Sequence, residues 1–236
     1  MLRALSYNIE WGKNLSEAGD WIMALKPAPD IICLQEIPKD KVPAFGKILE
    51  KKGFDYKYAP AYTDHDVTYG ELTAYNNKKI TLMFSKVVEL GSSIVARFIS
   101  QHNSRYTSLL TVFKTGKQTF IIINIHLLPF HLHRKRRKQL GIAIEALTLL
   151  KYVNLPSLII GDYNYTSLLG TGGLIKFMGK HGFKIGAKKK VVTHRKWRIN
   201  HQTDYVFYKN CKIKNLRTER VPFSDHFPMF FNLEFK

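Results

Sequence analysis

Residues 158–164 read Leu158-Ile-Ile-Gly-Asp-Tyr-Asn164, an apolar run that stops abruptly in a turn signal. A short apolar run bounded this way is the pattern of a buried strand, and an Asp and an Asn two positions apart leave its C-terminal end on one face. In open α/β sheets that end is where ligands sit. Gly-Asp after a hydrophobic strand is also an ordinary turn, so the reading depends on whether the rest of the chain supplies partners for Asp162 and Asn164.

Working outward, other predicted strands end in polar residues too. Leu2 to Ile9 has strand character and delivers Asn8 and Glu10, which period-two alternation puts on one face. Ile31 to Leu34 is a second buried strand ending in Gln35 and Glu36, and Phe120 to Ile125 ends in His126. Strands are also predicted at Asp204 to Tyr208, Ile213 to Arg220 and Met229 to Phe235, with the polar trio Ser224-Asp225-His226 between the last two. Helices are expected up to Leu25 with Asn14 or Ser16 as cap, from Lys41 to Lys52, from His133 to Val153, and from Gly170 to about His181. Residues 54–117 carry the alternation of half-buried strands, with loops at Asp64 to Asp66 and Asn76 to Lys79.

Brought to one rim, these strand ends hold the carboxylates of Glu10, Glu36, Asp162, Asp204 and Asp225, the amides of Asn8 and Asn164, and the imidazoles of His126 and His226. Carboxylates packed together raise one another's pKa unless a cation neutralises them. A hard divalent metal is therefore implied, and all-oxygen ligands favour Mg²⁺ or Mn²⁺ over Zn²⁺. Each residue also has a plain structural reading. Asn8 and Asn164 read as turn caps, His126 as a satisfied core histidine and Ser224-Asp225 as a turn. Glu71, Arg105 and Trp197 read as edge-strand polar groups and a packing Trp.

The chain has 236 residues, 45% of them hydrophobic and 23% charged, which bounds it to one sizeable core without long disorder. The expectation is a single domain over residues 1–236, monomeric, soluble and cytoplasmic, since no apolar run reaches membrane-span length and the N-terminus turns polar too early for a signal peptide. Cys33 lies inside an apolar run, which favours a buried thiol over a disulfide or zinc ligand. The net charge is +19, and from Thr119 onward 21 Lys and Arg face six Asp and Glu. Three of those six acids, Asp162, Asp204 and Asp225, belong to the strand-end set. Such an excess is suited to a polyanion, or to no more than a soluble surface. Its densest runs are Arg134, Lys135, Arg136, Arg137, Lys138 and then Lys188, Lys189, Lys190, Arg195, Lys196 and Arg198 around Trp197. Cations at a helix N-terminus oppose its dipole, so either the helix starts after the first run or the run serves an anionic ligand.

The strings Tyr7-Asn8-Ile9-Glu10, Leu34-Gln35-Glu36, Ile125-His126-Leu127, Gly161-Asp162-Tyr163-Asn164, Asp204-Tyr205-Val206-Phe207 and Ser224-Asp225-His226-Phe227-Pro228 together resemble the endonuclease/exonuclease/phosphatase superfamily. The resemblance runs from residue 7 to residue 228. It implies a deoxyribonuclease I-like α/β fold, a four-layer α/β/β/α sandwich of two mixed sheets flanked by helices, and a metal-dependent phosphoesterase. By the same resemblance Glu36 is the principal metal ligand, assisted by Glu10 and Asp225, and Asn8 and Asn164 hold phosphate oxygens. Asp162 positions or deprotonates the attacking water, or holds a second metal. His226, oriented by Asp204, is general base or phosphate contact, and His126 donates to the scissile phosphate, with Glu71 a possible partner.

Members of that family cut DNA, RNA, phosphoinositides, sphingomyelin and protein–DNA adducts, so the fold alone leaves the substrate open. Charge points to nucleic acid, DNA before RNA, with Arg134, Arg136, Arg137, Lys138, Lys189 and Arg195 on phosphates and Trp197, Tyr163 and Tyr165 stacking on bases. A nuclease or DNA-repair phosphodiesterase is thus expected. The alternatives are a phosphoinositide or phospholipid phosphoesterase, against which the Trp-Cys-Asp-Arg signature is absent around Trp197, and a non-catalytic nucleic-acid-binding module.

Overall fold

The strands nearest the N-terminus are apolar on both faces, so both faces need cover. In the strand β1 (Leu2–Asn8), Leu5 and Tyr7 join one core cluster while Leu2 and Ala4 join another. In β2 (Ile31–Pro38), Ile32 and Leu34 divide from Ile31 and Cys33 in the same way. A sheet buried on both sides reads as a continuous hydrophobic run, as these do. The computed structural model describes residues 1–92, 105–129, 133–165, 171–187, 189–196 and 199–235.

The first sheet adds β3 (Phe54–Asp64), β4 (Val67–Asn76), β13 (Lys212–Thr218) and β14 (Met229–Glu234), in the order β13-β14-β1-β2-β4-β3. The second contains β5 (Thr81–Ser92), β6 (Arg105–Thr115), β7 (Gln118–His126), β8 (Ser157–Asp162), β9 (Lys184–Ile185) and β12 (Asp204–Lys209), in the order β5-β6-β7-β8-β12-β9. A separate short hairpin joins β10 (His194–Lys196) to β11 (Ile199–His201).

The helices α1 (Leu15–Ala24) and α2 (Val42–Lys51) cover the outer face of the first sheet through Leu15, Ile22, Phe45 and Leu49. The helices α3 (His133–Leu149) and α4 (Thr171–Lys180) cover the second through Leu140, Leu147, Leu174 and Met178. Between the sheets lie Ile31, Cys33, Phe113, Phe120, Leu158, Ile160, Phe231 and Leu233. The result is the expected four-layer sandwich. Cys33 and Cys211 are free and buried, and burial pushes both thiols up to about 12.

Each sheet has one parallel pair, β1 with β2 and β7 with β8. Parallel neighbours end at the same edge, so Asn8 comes to lie beside Gln35 and His126 beside Asp162. A buried polar link joins the sheets just behind that edge. Gln35 Nε2 donates to Asn124 Oδ1 at 2.7 Å, and Asn124 Nδ2 donates to the carbonyls of Leu34 and Leu72 at 3.0 Å each.

Two local expectations are revised and one open alternative is resolved. Asn14 takes the N-cap position of α1 without a side-chain capping bond, and its Nδ2 donates to the carbonyl of Phe223. The helix α3 stops at Leu149 rather than Val153, where Lys151 adopts a left-handed φ of 59° and the Tyr152 N–H turns back to the Leu147 carbonyl. It begins at His133, so the basic run does occupy its first turns, and the later helix start is ruled out.

Candidate functional site

Asn8 is fully buried at the end of β1 and donates through Nδ2 to Glu36 Oε1 at 3.0 Å and to Asp162 Oδ2 at 3.1 Å. One amide from the first sheet thus holds a carboxylate from each sheet. Asp162 reaches this point because Gly161, at φ +138°, packs against the Ile125 carbonyl, where a Cβ would stand 2.0 Å away. The other Asp162 oxygen accepts the Asn164 N–H at 2.7 Å, closing the turn that follows the strand.

Two imidazoles face the same Asp162 oxygen. His126 Nε2 lies 3.6 Å from Glu36 Oε1 and 3.7 Å from Asp162 Oδ2, and His226 Nε2 lies 3.7 Å from Asp162 Oδ2. Asp204 Oδ2 accepts from His226 Nδ1 at 2.9 Å and from the Thr203 hydroxyl at 2.9 Å, fixing which ring nitrogen faces the cleft. Asp204 is the cross-strand neighbour of Asp162 in the β8–β12 pair.

Burial dominates the electrostatics. It raises the carboxyls of Glu36 and Asp162, with Asp204 adding repulsion at Asp162, and it depresses His126. Burial also works against charge on His226, but the surrounding carboxylates of Asp204, Asp162 and Asp225 outweigh it and hold that imidazolium up to about 10. Glu71 is buried, its carboxyl raised well above the carboxylate range by that burial, and takes a long 3.4 Å bond from the Thr107 hydroxyl. Its Oε1 and His126 Nδ1 are each without a hydrogen bond among the described residues, so no Glu71–His126 bond is formed.

Glu10 departs from the sequence expectation. The strand ends at Asn8, and Glu10 opens a 3-10 turn at φ 40°, so period-two alternation no longer governs it. Its Oε1 pairs with Lys13 at 2.6 Å and its Oε2 accepts the Asp225 N–H at 3.1 Å. Asp225 lies beside both histidines of its neighbourhood, with Oδ2 3.2 Å from His194 Nε2 and Oδ1 3.8 Å from His226 Nε2. Asn164 sits at φ 51° and donates Nδ2 to the Leu127 carbonyl at 2.9 Å. Glu10, Trp11, Glu36 and Asn164 are four of the nine non-glycine residues with left-handed backbone among the described residues, and such strain gathers at functional sites.

The sequence-expected substrate contacts are placed less uniformly. Arg134, Lys138 and Lys189 are exposed, and Arg137 is half-buried beside the Tyr165 hydroxyl. Arg136 is buried, with Nε donating to the Leu128 carbonyl at 2.7 Å and the guanidinium over Tyr165, so it braces the segment after His126. Arg195 is half-buried, and its N–H donates to the Asp225 carbonyl. Tyr163 and Tyr165 are fully buried, their hydroxyls donating to the carbonyls of Ile159 and His133, so neither ring is available for stacking on bases. Trp197 lies outside the described residues, as do Lys188 and Arg198.

Two contributors, Thr193 and His194, escape the sequence reading, which takes Ser224 only as part of a polar turn. Ser224 Oγ donates to the Asn8 carbonyl at 2.8 Å and accepts the His226 N–H at 3.0 Å. Thr193 Oγ1 accepts the N–H groups of Thr203 and Asp204 at 2.9 and 3.0 Å, and His194 stacks at 4.6 Å from His226. Thr193 and Ser224 lie outside the strands and the strand of His194 is three residues long and polar, so no apolar period marks them.

Solved structures share the fold. The human Nocturnin catalytic domain with bound sulfate is 18% identical, with a TM-score of 0.77 covering 100% of this chain and 94% of that one. The mannosyl-6-phosphatase Bt3783 of Bacteroides thetaiotaomicron VPI-5482 is 16% identical, with a TM-score of 0.74 covering 100% of both. ANGEL2, a 2',3'-cyclic phosphatase in complex with adenosine-2',3'-vanadate, is 15% identical, with a TM-score of 0.79 covering 99% of this chain and 95% of that one. No curated protein sequence matches. No helix among the described residues is long and apolar enough to cross a membrane. The model of one sequence family, the Endonuclease/Exonuclease/phosphatase family, matches residues 5–226, and the chain therefore belongs to that family, whose members hydrolyse phosphoester bonds.

Proposed function

We propose that the protein is a divalent-metal-dependent phosphodiesterase acting on nucleic acid. The observation that carries this reading is the shared amide of Asn8, which holds Glu36 and Asp162 together at a point that two imidazoles also face. Buried carboxyls whose pKa values burial has raised suit a cation, and the oxygens of Glu36 and Asp162 suit a hard one. Glu36 would hold Mg²⁺ or Mn²⁺, with Asp225 and Glu10 flanking it. When bound, the cation supplies Lewis-acid stabilisation of charge on the phosphoryl oxygens.

The chain's own residues do the rest. Asp162 orients the attacking water and receives its proton. His226, its Nδ1 turned to Asp204, presents Nε2 to a phosphoryl oxygen, and His126 presents Nε2 as a second donor near the same Asp162 oxygen. Asn8 holds the two sheets' carboxylates together, and Asn164 pins the turn after Asp162 to the Leu127 carbonyl.

Support for a nucleic-acid substrate comes from the excess of 21 Lys and Arg over six Asp and Glu after residue 118, with Arg134, Lys138 and Lys189 exposed. The nucleotide-derived ligand of the ANGEL2 structure is consistent with it. The test is a panel of single-stranded, double-stranded and abasic DNA, RNA, a phosphoinositide and a sugar phosphate, each with Mg²⁺. Oligonucleotide cleavage that EDTA and Asp162→Ala both abolish supports the reading. Turnover confined to the phosphoinositide or sugar phosphate, or cleavage that survives both treatments, overturns it.

A further inference from the structure

Beside the phosphoesterase cleft lies a second cluster of different chemistry. His194, Asp225 and His226 each offer a ligand atom, all within 4.8 Å of one another. His194 comes from the β10–β11 hairpin, which is tied down at three points: the Arg195 N–H donates to the Asp225 carbonyl, the Phe227 N–H to the Thr193 carbonyl, and Thr193 Oγ1 receives two backbone N–H groups. The two imidazoles are thus held by backbone pairing, His194 opposite His226 in an antiparallel bridge.

The ring orientations matter more than proximity. His226 Nδ1 is committed to Asp204 at 2.9 Å, which leaves Nε2 between Asp162, 3.7 Å away, and Asp225, 3.8 Å away. A histidine whose far nitrogen is held by a carboxylate is the usual form of a metal-ligating imidazole. His194 Nε2 also faces Asp225, at 3.2 Å, while its Nδ1 is buried without a hydrogen bond among the described residues. Two nitrogens and one carboxylate oxygen fit a borderline-soft, four-coordinate cation with one open position, in contrast to the oxygen-rich Glu36 side. Asp225 is 31% exposed, so the cluster opens to solvent.

We infer that His194, Asp225 and His226 form a zinc site whose occupation shuts off the neighbouring hydrolysis. Zn²⁺ bound there takes the His226 Nε2 lone pair and draws Asp225 toward His194, withdrawing both from the cleft. Both imidazoles ligate in their neutral form, and any proton on their Nε2 atoms passes to solvent. The site itself stands on its own geometry; its inhibitory effect rests on the phosphoesterase reading.

The test titrates Zn²⁺ into the full, EDTA-stripped chain by calorimetry in excess Mg²⁺, for the wild type and His194→Gln. In parallel, inhibition by Zn²⁺ of Mg²⁺-supported hydrolysis of bis(p-nitrophenyl) phosphate is followed. The inference expects one Zn²⁺ per wild-type chain and binding weaker by at least about 10-fold in His194→Gln. It also expects the half-inhibiting Zn²⁺ concentration, taken against each protein's own zinc-free rate, to rise in step. Equal affinity in the two proteins overturns the site. Should His194→Gln fail to fold, ¹⁵N-histidine spectra of the wild type decide: Zn²⁺ shifting the Nε2 signals of two imidazoles supports the site, and shifting one or none overturns it. Zn²⁺ binding through His194 in a protein without Mg²⁺-supported hydrolysis would leave the site standing and remove the phosphoesterase reading, whereas hydrolysis untouched by bound Zn²⁺ would remove only the inhibitory role.

Discussion

Asn8 Nδ2 lies 3.1 Å from Asp162 Oδ2, a buried hydrogen bond between two sheets and across 154 residues of sequence. Replacing Asn8 by Ala leaves the carboxylates of Glu36 and Asp162 without their shared donor. Loss of one preorganised donor of this kind costs about 100-fold in turnover. Steady-state kinetics on the substrate found in the panel will show the loss mainly in kcat; an unchanged kcat would place Asn8 outside the reacting centre.

The His226–Asp204 pair gives a pH dependence with a definite sign. The imidazolium is held up to about 10 in the folded chain against an ordinary 6.5, so the folded state binds the proton more tightly than the unfolded one. The stabilisation is complete below 6.5 and disappears as the pH rises through about 10. In metal-free protein, urea unfolding of the wild type and His226→Gln will therefore differ most on the acid side of that window and converge on the alkaline side. A gap that widens with pH would contradict the assignment.

Behind the site, Asn124→Ala removes the amide that the Leu34 and Leu72 carbonyls accept from, and the shortest of the three bonds that Gln35 Nε2 donates, in a buried place. Each stranded buried group costs about 1–3 kcal/mol, so a loss on the order of 3 kcal/mol is expected in denaturant unfolding. Asn124→Asp, which keeps one acceptor and loses the donors, will not rescue it.

Gly161→Ala tests the turn that delivers Asp162. The new Cβ would stand 2.0 Å from the Ile125 carbonyl oxygen at a backbone φ of +138°. Backbone pairing between β7 and β8 must yield, at a cost of about 1–3 kcal/mol from the strained backbone alone. Both the melting temperature and turnover will fall; a fully active, equally stable variant would show that the strand ends have slack.

Much of this arrangement was legible in the sequence, because strand ends are written locally. An apolar run that stops at Asn8, His126 or Asp162 names its own terminal residue, and parallel pairing then sets such ends side by side; Glu36, expected at a strand end, instead lies inside β2 where the register shifts and φ is 61°. What failed were readings that needed the third dimension. Glu10 left the strand period because a 3-10 turn begins there, and Tyr163 and Tyr165 follow the turn back into the core instead of lining the cleft. Arg136 looked like a phosphate ligand in a basic run, yet the helix rotates it inward onto the Leu128 carbonyl. The hairpin bearing His194 carries no apolar alternation, since it is held by backbone bonds and by Thr193 rather than by a buried face.

The two sheets meet the cleft on equal terms, Asn8 and Glu36 from one and His126 and Asp162 from the other. Turnover therefore doubles as a gauge of how the halves are seated. A slip too small to lower the melting point, caused by repacking Phe113 or Phe120 far from any polar group, would register first as lost activity.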